Sequence, residues 1–221
     1  NTMLKKSIRI LSVYTLLLGI SQPAISYDSA IDSTPDEIRA LRRAVVKTPA
    51  RLIDSTTIPG KIIVSVTDPG PLDQTGTDTP LNYGIQGKLP QGLIAFLERN
   101  RAQYLREISS AAQNRLPSTE FFFTGHGQGG QIALVLSAIW WKEYIHLTNG
   151  ISPSNNQIKA ITFSSPSSSD EDFNRSIAKL LGRTNIIDFS SYFNSQPITY
   201  GIPIYTLPDE KIFDMITTIS S

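Results

Sequence analysis

The 221-residue sequence contains no cysteine, which removes disulfides, thiolate metal ligands and cysteine nucleophiles together. It has only two histidines, His126 and His146, too few for a histidine-built metal site, so neither a metal nor a cofactor is expected. Net charge is nearly absent as well. Twenty basic against nineteen acidic side chains leave a formal +1, and no basic patch interleaved with aromatic residues appears, so nucleic acid is not an expected partner. Long apolar runs are missing too. The run from Ile10 to Ile20 falls short of the roughly 20 residues that cross a bilayer, so no transmembrane span is expected.

What is present is ordinary globular material. A chain that is 40% hydrophobic and 18% charged, at this length, builds one well-buried core, and a single domain is expected over residues 27–221. Residues 1–26 stand apart. From Met3 to Ser26 a basic start, an apolar run and an Ala24-x-Ser26 end fit two readings, a first helix packed on the core or a signal-peptide-like segment. Localisation follows that choice: secreted or periplasmic for a signal peptide, otherwise cytoplasmic or delivered by another route.

Helical and strand patterns then alternate. Thr34-Pro35-Asp36-Glu37 is a capping box with proline at the first helical position, opening a helix to about Val46. "RLIDS" and "KIIVSVT" flank a Pro-Gly turn and predict a hairpin that feeds a buried strand at Lys61 to Thr67. Residues 68–88, rich in Pro, Gly, Asp and Thr, read as one long loop. Ile94, Leu97, Tyr104, Leu105 and Ile108 mark an amphipathic helix over 90–112. A strand at 120–124 precedes a helix to about Tyr144 with Ile132, Val135, Leu136 and Ile139 on its core face. "IKAITFS", "TNIIDFS" and "IPIYTL" are further strands, Asp170 caps a helix ending at Gly182, and Pro208 opens a last helix. Strands alternating with helices imply an α/β fold with a mostly parallel sheet and helices on both faces.

The stretch "FFFTGHGQGGQIA", Phe121 to Ala133, supports two readings. Its glycines at 125, 127 and 130 spell the GxGxxG turn that holds a dinucleotide's phosphates. It also reads as a GxSxG nucleophile elbow with glycine in the serine's place. A dinucleotide fold sets its glycine turn after the first strand and an acidic residue at the end of the second; here the turn follows at least two strands, and the next strand ends in serines. Context favours the elbow; a dinucleotide-binding protein is retained as an alternative, and so is a plain tight strand-to-helix turn in an unrelated α/β protein.

The motif "FFFTGHGQGG" resembles the "TGHSLGG" elbow of the class 3 (fungal-type) lipases, a branch of the α/β hydrolases. Three further stretches agree in order. "KIIVSVTDPG" stands where that family has a strand ending in an RGT or RGS oxyanion turn. "FSSPSSSDEDF" keeps the spacing of "FGSPRVGDxxF", and "NSQPITYGIP" stands where the family reads "NxDPVTxLP". The resemblance implies an α/β-hydrolase-like fold and a site for acyl esters, which needs a hydroxyl, a histidine, a carboxylate and backbone N–H donors. Residue by residue, each is disturbed. The nucleophile position is Gly127, without a side chain, and the acid position is Gln196, or Asn194 if the register slips by two.

The family's histidine follows the acid, whereas His146 precedes both candidate positions; the chain stops soon after them, so a shortened C-terminus is a second explanation for the missing base. The oxyanion donor falls at or beside Pro69, which lacks an N–H, with Asp68 adding an unhelpful negative charge. The N–H of Gln128 stays available at a helix start. His126, beside the nucleophile position, packs under the turn in the family, and His146 reads as a helix-terminal residue. Serines 164, 165 and 167–169 read as a solvated loop.

These residues imply a lipase-like protein without intact catalytic residues. Its binding surface would be Asp68, Pro69, Gly125, His126, Gly127, Gln128 and Gly129, and its partner a lipid, an acyl ligand or another protein. The alternative within the family is an active lipase or esterase with an unconventional site.

Overall fold

Four segments, "KIIVSV", "EFFFTGH", "IKAITF" and "IIDFSS", each carry large apolar residues at consecutive positions, the mark of parallel strands buried on both faces. The computed structural model describes residues 37, 40, 41, 53, 54, 58, 60–72, 79, 80, 84–163, 165, 166, 170–191 and 202–206, and in it these segments line up side by side. The elements in chain order are β1 (Ile53–Asp54), β2 (Lys61–Val66), β3 (Thr79–Pro80), β4 (Lys88–Leu89), α1 (Gln91–Ala112), β5 (Glu120–His126), α2 (Gln128–Leu147), β6 (Ile158–Phe163), α3 (Glu171–Leu181), a 3-10 turn (Arg183–Asn185), β7 (Ile186–Ser191) and β8 (Ile202–Thr206). The expected segment at 1–26 and the helix after Pro208 lie outside the described residues.

The main sheet runs β1-β2-β5-β6-β7-β8. The hairpin expected from the Pro-Gly turn is there, β1 pairing antiparallel with β2, and every later neighbour is parallel. Because the parallel strands advance steadily in one direction, right-handed crossovers set α1, α2 and α3 on the same face. Ile62, Val64, Phe121 and Phe123 of the strands share one apolar cluster there with Leu97 of α1, Val135 of α2 and Ile177 of α3.

The alternate residues Ile63, Phe122, Ile161 and Ile187 are buried on the second face. There the Lys61 amine stands 4.5 Å from the centre of the Phe122 ring and pairs with Glu37 at 2.5 Å and Glu120 at 3.0 Å. Burial pulls the Lys61 amine down, but hydrogen bonds and charge from the two carboxylates outweigh it, so its pKa ends above the ordinary 10.5. Glu37, Ala40 and the fully buried Leu41 are helical. Helical residues therefore lie on both faces.

Two elements differ from the sequence reading. The long loop at 68–88 contains a small antiparallel pair, β3 with β4. In α2, every residue from Gly129 to Trp140 is buried, not only one face. A helix enclosed all round is a central one, and Trp140 packs against Phe121 with ring centres 5.1 Å apart. At its far end, Tyr144 donates to Pro117 O at 3.1 Å and accepts from Gln157 Nε2 at 3.0 Å, fixing the helix against the strand entrances. In α3, Asp170 Oδ1 accepts from Phe173 N at 2.7 Å and Gly182 ends the helix, as the sequence implied.

Candidate functional site

The parallel register carries β2 and β5 forward together until Val66 stands beside Gly125 and His126 beside Phe163. At that edge the chain turns from β5 into α2 through one residue. Gly127 has φ +54° and ψ −128°, backbone geometry that costs a side-chain-bearing residue about 1–3 kcal/mol and glycine little. Hydrogen bonds pin the turn on both sides. Gly127 N donates to Phe163 O at 3.0 Å, and Gly127 O accepts from Gly130 N at 3.0 Å and Gln131 N at 3.3 Å.

Two neighbouring glycines are required by closeness. A Cβ on Gly125 would run into the main chain of Gly129 and Gly130. On Gly129 it would stand 2.5 Å from Val66 O and 2.9 Å from Asp68 N, so the start of α2 lies directly against the exit of β2. The N–H groups of Gln128 and Gly129 fall in the first turn, where a helix supplies no acceptor and its dipole favours negative charge.

The exit of β2 supplies that charge from within. Asp68 Oδ1 accepts from Gly70 N at 2.9 Å, while Oδ2 lies over Gly127, in the space a Cβ there would need. Pro69 beside it is exposed and has no N–H to offer. The structure thus assembles Asp68, Pro69, Gly125, Gly127, Gln128 and Gly129 in one place. His126 corrects the expectation from resemblance: it is exposed, not packed under the turn. His146 is exposed in the last turn of α2, some 27 Å along the helix from the elbow. Gln196 and Asn194 lie outside the described residues.

A second correction concerns Ser165, which is 5% exposed and not part of a solvated loop. The chain leaving β6 passes beneath the elbow, and a Cβ on Gly130 would stand 3.1 Å from Ser165 Cβ and 3.2 Å from Thr162 Cβ. Ser164 and residues 167–169 lie outside the described residues. Sequence reasoning missed Asp188, 1% exposed. Its Oδ1 accepts from Thr162 Oγ1 at 2.5 Å and from Ser165 N at 3.3 Å, so it ties β7 to β6 and to the chain under the elbow. A lone acid inside the apolar run "NIIDFS" was the available signal. The chemistry assembled at the elbow is therefore two helix-start donors, one carboxylate and no hydroxyl on residue 127.

No curated protein matches this chain significantly. Solved structures similar to it include a fungal lipase–inhibitor complex (13% identity, TM-score 0.49, covering 61% of this chain and 49% of that one). The triacylglyceride lipase of Rhizomucor miehei is similar at 15% identity and TM-score 0.47, over 60% of this chain and 48% of that one. A triacylglycerol lipase from Penicillium expansum is similar at 12% identity and TM-score 0.48, over 70% and 63%. The chain spans about half the length of the first two. The sequence profile of the family described as Lipase (class 3) matches residues 64–191, a span that holds β5, the glycine elbow, β6 and β7 and is more than half of the chain. This protein belongs to the class 3 lipase family, with an α/β-hydrolase-like fold.

Proposed function

We propose that this chain is a catalytically inactive lipase-like α/β-hydrolase, a pseudoenzyme that acts by binding a lipid, an acyl ligand or a protein partner. One observation carries the reading. Gly127 occupies the sharp strand-to-helix turn on which this fold presents its nucleophile, and it has no atom that attacks a carbonyl. Losing the serine of such a site alone costs on the order of 10⁶ in kcat, and what survives comes from the oxyanion donors and substrate binding. Here that remainder is weakened as well, because Pro69 cannot donate and Asp68 Oδ2 sets a negative charge beside the place of a residue-127 side chain, which repels a developing oxyanion. The same carboxylate speaks against a dinucleotide, whose pyrophosphate would have to settle at the start of α2.

The test is a panel of short- and long-chain acyl esters, with lipid extraction and mass spectrometry of the purified protein. No turnover above background is expected, and none from Gly127→Ser alone, since Asp68 Oδ2 lies in the space the new side chain would need. Turnover that follows the protein through purification would refute the reading and favour an active esterase with an unconventional site. Co-purified acyl lipid, or a thermal shift with fatty acids or phospholipids, would support the lipid-binding version over the protein-partner version.

A further inference from the structure

The tetrapeptide Thr67-Asp68-Pro69-Gly70 leaves β2 under tight local control. Proline fixes its own φ and confines Asp68 to extended backbone. Gly70 takes φ +82°, which returns its N–H to Asp68 Oδ1 at 2.9 Å. The main chain beneath is held too, because Asp68 N abuts Gly129 so closely that a Cβ there would stand 2.9 Å from it. With one carboxylate oxygen tied and the backbone braced, Oδ2 comes to rest above Gly127.

We propose that Asp68 is an internal stopper of the elbow: its carboxylate holds the nucleophile's place, so neither a side chain on residue 127 nor an acyl carbonyl stands there while the Asp68–Gly70 bond is intact. Charge reinforces the block, since a carbonyl oxygen gaining negative charge beside Asp68 is repelled. Opening the elbow requires Asp68 to turn about χ1 and give up Gly70 N. This deepens the proposed function and rests on its placement of the nucleophile position at Gly127.

The test measures the thermal midpoint lost on Gly127→Ser in the natural background, in Asp68→Ala and in Asp68→Asn. Backbone strain from serine at position 127 is common to all three and cancels. The loss is expected to be about 2–6 °C smaller in Asp68→Ala. It should be unrelieved in Asp68→Asn, which keeps both the volume and the acceptor for Gly70. Equal losses in all three backgrounds would mean that the space is free, and relief by asparagine as complete as by alanine would mean charge without occupancy; either overturns the proposal. If Gly127→Ser does not fold, Gly127→Ala adds only the colliding carbon and is read the same way. Ester turnover by the natural protein would defeat the proposed function and leave this coupling standing, whereas equal losses would defeat the coupling alone.

Discussion

Replacing Gly129 by alanine sets two effects of known size against each other. Helix propensity favours alanine over glycine by up to about 1 kcal/mol in a helix interior, and by less in a first turn. Against this, the added Cβ would stand 2.5 Å from Val66 O, 2.9 Å from Asp68 N and 3.0 Å from Thr67 C. All three are main-chain atoms. They belong to or follow β2, which is paired on one side to β1 and on the other to β5, so it cannot retreat without disturbing a ladder. Overpacking costs about 1–3 kcal/mol, and the upper end applies where no side chain can rotate away. The expected net loss is about 2 kcal/mol, or a midpoint lower by about 4–8 °C for a chain of this length. Thermal and urea unfolding followed by circular dichroism would measure it. An unchanged or raised midpoint would mean that α2 and the exit of β2 are not in contact, and the description of the elbow would fail with it.

Asp188→Ala should lower stability by about 2–4 kcal/mol, because Thr162 Oγ1 and Ser165 N lose their buried acceptor; Asp188→Asn, which keeps an oxygen in place, should lose clearly less in the same urea titration. Alkali should also weaken the fold. Lys61 is raised above 10.5, its two carboxylate partners outweighing the pull of burial, and Tyr104 is raised above 10.0 by burial and then by the charge of Glu107. For an amine or a phenol raised on folding, the stabilisation is fully present below the unfolded value and is lost as pH climbs through the folded one. The midpoint should therefore fall above about pH 10. Lys61→Gln combined with Tyr104→Phe should flatten that fall, and a midpoint that rises from pH 10 to 11 would reverse the assigned directions.

Much of the architecture could be read from local pattern because the forces that set it are local. Asp170 and Gly182 marked the ends of α3 because a carboxylate accepts from a helix-start N–H and glycine takes a positive φ, both within a few residues. The apolar runs marked the strands because a parallel sheet buries both faces, so neighbouring positions along a strand are both apolar. The elbow was visible for the same reason: β-favouring residues, then closely spaced glycines, then a helical run.

What sequence could not supply is what depends on which strands become neighbours. Order along the chain set the strands, helices, caps and glycine turn of this protein, and it marked Gly127 as the residue at the strand-to-helix turn. Only the folded sheet decided that Asp68, 59 positions earlier, lies over that glycine, that Ser165 is buried beneath it, that His126 is exposed, and that α2 is enclosed all round. A residue's own neighbourhood in sequence dictates its backbone, but burial and the meeting of side chains follow from the parallel register that sets Val66 beside Gly125.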